Sequence, residues 1–392
     1  MIYVGIDVAK DKHDCAIVDG RGEVIARPFR IKNSLEGFTE LIQRIDSVTP
    51  NRSEVEIGLE NTGHYSGNIV RYLSNLFMVK TINPLLTAKQ KKAGTLRKTK
   101  TDKIDAVEIA TMLVTGNGFK PVISIPHDSE ELKSLTRYRE ALVKRRSIEK
   151  NSIKRLVNIL FPEYEKFIKD VHRKTSYAIL HEYPGKEYFA VCRTPALTKL
   201  LRFASKGRYG EDLAFRLREA AKDSIGVVSE AKSYELRRTI NRINSLSREI
   251  VEVEAKISEI VLAANPPVLS IPGVGSNTAA IIMGEIGDFS RFDGPEKILA
   301  FSGMTPSTYQ SGKYASKHGR MEKRGSHLLR HALFQAAKSV CMFDPTFGDY
   351  LVKKRSEGKP YCVAVSHAAK KLVRLTYKLE TQHCSYETNL VR

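Results

Sequence analysis

The sequence predicts an α/β unit followed by a mainly helical chain. Three observations lead there. Residues 1–125 alternate short apolar runs with glycine turns and amphipathic stretches. Two long stretches, 128–160 and 229–262, carry apolar residues at helical spacing. The composition, 42% hydrophobic and 28% charged, is that of a globular chain. At about 150 residues per domain, 392 residues make two or three domains. The boundaries read as 1–125, 126–265 and 266–380, with a frayed tail at 381–392.

The elements follow in order. Ile2 to Asp7 is a short apolar strand and His13 to Val18 a second. Gly20 and Gly22 turn the chain into a third near Val24 to Phe29. Ser34 caps a helix whose apolar face is Leu35, Phe38, Leu41, Ile42 and Ile45. Val55 to Glu60 is a fourth strand. A helix through Ile69, Tyr72 and Leu73 leads to a fifth, Phe77 to Ile82. A last helix begins near Thr101 or Asp102 and runs through Ile109 and Met112. Three strands, helix, strand, helix, strand, helix is the order of a ribonuclease H-like domain.

The first long helix carries Leu132, Leu135, Leu142, Ile153, Leu156 and Ile159, and Pro162 ends it. The second carries Ile240, Ile243, Leu246, Ile250, Val253, Ile257 and Ile260, stepping by threes and fours as a coiled-coil seam does. That seam serves either a hairpin with the first long helix or a dimer. Residues 163–225 are helix-rich and carry no readable motif.

Lys and Arg number 64 against 44 Asp and Glu, a formal charge of +20. A polyanion is the expected partner, and nucleic acid the commonest one. No apolar run reaches the roughly 18 residues of a membrane span. The opening MIYVGIDVAK places its apolar run before the first Lys, the reverse of a secretory signal, so none is expected. The five cysteines are scattered without a C-x-x-C, which suits a reducing compartment; the expected location is the cytoplasm, in association with the nucleoid. His327 and His331 are four apart, but no Cys or acid accompanies them, so they read as polar or phosphate-facing rather than metal-bound.

Four acids stand out. Asp7 interrupts an apolar strand, V-G-I-D-V-A, and Glu60 ends the fourth strand, which the proposed fold sets beside the first. Asp102 and Asp105, three apart on a helix, share a face. Carboxylates about 4 Å apart repel by roughly 4 kcal/mol at an effective dielectric of about 20. Such a cluster calls for cations, and oxygen ligands select Mg²⁺ or Mn²⁺, the ions of phosphoryl transfer. Taken singly, each acid is equally a cap or a surface charge. A basic run, including Lys92, Arg97, Lys98, Lys100 and Lys103, leads into the cluster and suits phosphate steering.

In the last third, Ser270-Ile271-Pro272-Gly273-Val274-Gly275 before a helix resembles a helix-hairpin-helix, where Gly273 and Gly275 would present N–H groups to a phosphate; a plain turn is the other reading. F-S-G-M-T-P-S-T-Y-Q-S-G-K places Ser311-Gly312 before a cationic run with Lys313, Lys317, Arg320, Lys323 and Arg324. A serine ringed by cations suits attack on a phosphodiester, although Ser-Gly is also an ordinary turn.

G-I-D-V-A-K, E-N-T-G-H-Y, K-T-D-K-I-D-A, S-I-P-G-V-G and G-M-T-P-S-T-Y-Q-S-G-K occur in this order between residue 1 and about residue 375. As a set they resemble the DEDD transposases of insertion sequence family one hundred and ten. The resemblance implies a RuvC-like catalytic domain, a long helical coiled-coil arm and a mainly helical C-terminal transposase domain. It implies Asp7, Glu60, Asp102 and Asp105 as metal-binding acids and Ser311 as a nucleophile that links covalently to DNA. It also implies donor and target DNA as partners, a structured bridge RNA, and a homodimer or tetramer whose acids and serine come from different protomers. Met304 stands where that family usually has Leu, a volume-conserving exchange. The competing readings are a junction nuclease of the same fold using activated water and a non-enzymatic nucleic-acid scaffold. A sugar kinase of actin-like fold also opens V-G-I-D, but it needs a Gly- and Thr-rich phosphate loop where this chain has Val8-Ala9-Lys10.

Overall fold

A computed structural model describes residues 1–60, 65–82, 87, 102–116, 118–122, 126–307, 310–311, 314–315 and 321–387. The chain divides into two units, Met1–Ser124 and Ile125–Arg392.

The first unit is built on six strands: β1 (Ile2–Val8), β2 (Lys12–Val18), β3 (Val24–Lys32), β4 (Val55–Glu60), β5 (Met78–Ile82) and β6 (Phe119–Pro121). Their spatial order is β3-β2-β1-β4-β5-β6. β1 to β3 form an antiparallel meander, β4 and β5 run parallel to β1, and β6 closes antiparallel on β5. The inner strands are almost continuously apolar because helices cover both faces. On one face α1 (Leu35–Val48) and α2 (Ser66–Ser74) bring Phe38, Leu41, Ile45, Ile69 and Leu73 into one core with Val4, Ile6, Ile57 and Leu59. Ser34 caps α1 as expected, its Oγ accepting from the Gly37 N–H at 3.3 Å.

The other face carries α3 (Asp102–Thr115). It lies so close to β1 that a Cβ on Gly5 would stand 2.2 Å from the Ala106 carbonyl oxygen and 2.4 Å from the Ala110 nitrogen. The alternation of side chains along a strand therefore places Gly5 and Asp7 on the face that α3 covers. The element order is the one the sequence predicts, with β6 added. Three residues are too few for a periodic signal, so β6 escapes a sequence reading.

In the second unit α4 (His127–Leu160) and α10 (Glu230–Ala264) run antiparallel. The ion pairs Arg139–Glu254, Glu149–Arg242 and Arg155–Glu235 show it, one number falling as the other rises. Ile250, Val253 and Ile257 share a core with Leu132 and Leu142, while Ile240 and Ile243 share another with Ile153 and Leu156. The α10 seam is thus buried within its own chain. The hairpin reading describes this packing.

Between these helices, α5 (Tyr164–Phe167), α6 (Lys174–Glu182), α7 (Lys186–Val191), α8 (Thr194–Ser205) and α9 (Glu211–Lys222) gather around Tyr164, Phe161 and Phe189. After α10, helices α11 (Ser276–Ile286), α12 (Pro295–Phe301), α13 (His327–Phe343), α14 (Pro345–Ser356) and α15 (Tyr361–Gln382) pack on the other core, with a short hairpin of β7 (Gln310–Ser311) and β8 (Tyr314–Ala315). The sequence leaves 381–392 as a frayed tail. Over its described part the chain is tied down, since the Tyr386 N–H donates to Ser270 Oγ at 2.8 Å and the Tyr386 hydroxyl donates to Asp344. Among the described residues no helix is long and apolar enough to cross a membrane.

Candidate active site

The strand register places charged residues side by side across the sheet. β1 and β4 pair Ile6 with Leu59, so Asp7 and Glu60 are the next positions on two adjacent parallel strands and share a face. On the other side of β1, Asp7 is directly opposite Asp14, and Asp14 is directly opposite Arg30. Glu60, Asp7, Asp14 and Arg30 thus form one row over β4, β1, β2 and β3, on the face under α3. Like charges opposite each other in an antiparallel pair are destabilising, so a cation beside Asp14 and Asp7 is favoured. Arg30 supplies it. Its Nε lies 3.2 and 3.1 Å from the two Asp14 oxygens and its Nη2 lies 2.8 Å from Oδ2. Donating to the Asp14 carboxylate raises the Arg30 pKa further, and nearby Asp102 adds to the effect.

The first turn of α3 reaches this row. Asp105 is buried, and Asp102, largely exposed, has Oδ2 3.5 Å from Arg30 Nη2. Two acids in a first helical turn are favoured by the helix dipole as well. Sequence reasoning missed Asp14 and Arg30. The signal was present, because H-D-C-A-I-V puts an acid into an apolar strand just as V-G-I-D-V-A does. Only the register shows that the two acids meet.

A carboxylate donor set is what a hard divalent ion takes, and a row that already closes on a guanidinium is a row built to hold positive charge. The residues therefore fit such an ion in chemical type. Among the described residues, however, no three His, Cys, Asp or Glu side chains are gathered closely enough to hold one. The basic run expected to lead into the acids, with Lys92, Arg97, Lys98 and Lys100, lies outside the described residues; Lys103 is exposed on α3.

In the second unit Ser311 lies on β7 and pairs with Tyr314 of β8, so it sits in a hairpin. Lys313, Lys317 and Arg320 lie outside the described residues. The neck of the hairpin is fastened. The Glu322 N–H donates to the Thr305 carbonyl at 3.0 Å, Lys323 to Gly303 at 3.1 Å and Ser326 to Phe301 at 2.9 Å. Arg330 Nη1 donates to the carbonyls of Ser302, at 2.8 Å, and Lys323. Gly303, at φ +70°, and Gly325, at φ +129°, are required by backbone conformation, and a Cβ on Gly325 would stand 2.1 Å from the Phe301 carbonyl oxygen. Buried Glu285 anchors the same neck, accepting from Ser326 Oγ at 2.8 Å and from Arg137 Nε at 2.7 Å. Burial pushes the Glu285 pKa up, but the bonds from Arg137 and Ser326 outweigh it and hold the carboxyl below its ordinary value. Lys323 and Arg324 are exposed beside this neck, and Met304 is buried in the core, as the volume-conserving exchange requires.

Gly273, at φ +90°, packs against α13, where a Cβ would stand 2.8 Å from the Ser339 carbonyl carbon. Packing alone accounts for that glycine. Gly275 is the N-cap of α11, and a Cβ there would meet nothing within 4 Å. His327 and His331 stack on each other at 6.5 Å.

Comparison with known proteins completes the picture. A family model for the IS110 DEDD type, described as "Transposase", matches residues 4–162. A second, described as "Transposase IS116/IS110/IS902 family", matches residues 266–351. The mini-circle putative transposase for IS117 of Streptomyces coelicolor is 25% identical, over 97% of this chain and 94% of that protein. The pilin gene-inverting protein of Moraxella lacunata is 24% identical, over 99% of this chain and 98% of its own. Among solved structures, T. thermophilus RuvC in complex with a Holliday junction substrate covers 31% of this chain and 99% of its own, at 13% identity and a TM-score of 0.23. The strand order, and not that likeness, describes the fold of the first unit.

Proposed function

We propose, because this chain belongs to the IS110 family of transposases and is a DNA recombinase, that it cuts and exchanges strands with two sets of residues. Asp7, Glu60, Asp102 and Asp105 hold a divalent ion, Mg²⁺ or Mn²⁺, and Ser311 is the nucleophile. The observation that supports the first set is the row across the sheet, where Asp7 and Glu60 occupy adjacent strand positions under the helix that carries Asp102 and Asp105. The ion would supply charge neutralisation at the attacked phosphate and at the leaving oxygen.

Ser311 gives up its proton and forms an Oγ–P bond while one P–O bond of the DNA breaks, and the displaced DNA oxygen takes up a proton. The number of phosphate ester bonds is unchanged, so rejoining to a new end needs no ATP. That agrees with a chain that shows no nucleotide-binding loop in its sequence. Lys313, Lys317, Arg320, Lys323 and Arg324 neutralise the phosphate during attack, and Lys92, Arg97, Lys98 and Lys100 guide the backbone in. Gly273 and Gly275 add backbone N–H contacts to the strand. A structured bridge RNA chooses the DNA. In support, no element of the sequence reads as a base-reading helix-turn-helix or zinc finger, and delegated base pairing leaves the protein to read backbone and shape. A homodimer or tetramer supplies the acids and the serine from different protomers.

The test is strand cleavage by Asp105→Asn. Cleavage should be lost while nucleic-acid binding stays largely intact, and full activity of that variant in Mg²⁺ would exclude the assignment. Mixing Asp105→Asn with Ser311→Ala protein should restore cleavage if the two sets act from different protomers, and should not if they act within one. Sequence-specific recombination by nuclease-treated, RNA-free protein would remove the RNA from the reading.

A further inference from the structure

We infer that Arg30 is a positioning residue that occupies the acid row as a stand-in cation: it holds Asp102 towards Asp14 and releases it when a divalent ion enters. This rests on the metal-binding role proposed above for the four acids.

Three observations carry it. First, Asp14 is buried directly opposite Asp7, a destabilising juxtaposition of like charges that a neighbouring cation relieves. Second, Arg30 grips both Asp14 oxygens through two nitrogens, so its guanidinium is fixed in place while the side chain as a whole remains half-exposed on β3. Third, the same Nη2 that bonds Asp14 lies 3.5 Å from Asp102, which is exposed where Asp105 is buried. The planar fork therefore joins a buried acid of the sheet to an exposed acid of the helix. The contact to Asp102 is long and exposed, which makes it easy to exchange. Asp14 keeps the guanidinium close by, so the repulsion between Asp14 and Asp7 stays screened throughout.

The experiment is a Mn²⁺ titration of the full chain followed by its thermal unfolding midpoint. Arg30→Gln removes the competitor for Asp102. It should lower the midpoint in chelator and reach half of the Mn²⁺-induced stabilisation at an ion concentration about two- to fivefold lower than the wild type needs, the range set by a half-exposed ion pair. Arg30→Lys keeps the charge but loses the fork, and should fall between. Arg27→Gln, on the same strand, removes an equal charge at an exposed position three residues away and should leave the ion concentration unchanged. An unchanged or raised Mn²⁺ requirement in Arg30→Gln, or an equal shift in Arg27→Gln, would overturn the inference. If the wild type itself gains no stability from Mn²⁺, the metal role of the acids fails instead, and that outcome is distinct from the others.

Discussion

At the scale of single residues, the site is decided by which side chains face each other, and that depends on register. Asp7 is conspicuous in the sequence because an acid inside an apolar strand is costly unless it is used. Asp14 is in the same situation, yet its partnership with Asp7 and Arg30 exists only once β1, β2 and β3 are aligned. Glu285 is hidden for the same reason, because its partners Arg137 and Ser326 are remote in sequence. Its carboxyl is held below the ordinary value of 4.5, so it contributes stability above about pH 4.5, and that contribution is lost as pH falls through the lower folded value. Glu285→Gln should therefore unfold more easily at neutral pH than the wild type and show a flatter loss of stability between about pH 5 and pH 3. Chemical denaturation across that range reads it, and parallel curves would show that the Arg137 pair contributes nothing.

At the scale of elements, the sequence is most legible where a period runs long or a strand is wholly apolar. Val55–Glu60 and the two long helices fall where the pattern puts them, within two residues. β6 is too short to carry a period, and the Ser311 hairpin lies in a poorly apolar run. The closeness of α3 to the sheet is legible only as a glycine. Gly5→Ala would drive a methyl into the backbone at Ala106 and Ala110, so it should destabilise by about 3 kcal/mol or more and displace the helix that carries Asp102 and Asp105. Denaturant unfolding measures the first effect, and loss of cleavage the second. In the helical hairpin, Ile257→Ala should cost about 2–5 kcal/mol, because the side chain is fully buried against the neighbouring helices. A small change would mean that the α10 seam closes around the gap.

For the whole molecule, charge sets the terms of engagement. An excess of +20 predicts binding that weakens steeply with salt, with a slope of about −0.9 in log K against log salt for each duplex phosphate neutralised. Replacing Lys98 and Lys100 together by Ala should lower affinity and flatten that slope, as read by fluorescence anisotropy over a salt series; an unchanged slope would place the phosphate contacts elsewhere. The composition made nucleic acid legible as partner and the motif order made the family legible, but the proposed chemistry of exchange rests on one hydroxyl. It is tested most directly by incubating labelled DNA and any required RNA with wild-type and Ser311→Ala protein, then running the products on a denaturing gel. The wild type should give a slow, protease-sensitive band of protein-linked DNA, and the Ala protein should bind nucleic acid but give none. A band that persists in Ser311→Ala, or cleavage by the wild type with no band at all, would contradict the serine mechanism and favour hydrolysis by activated water.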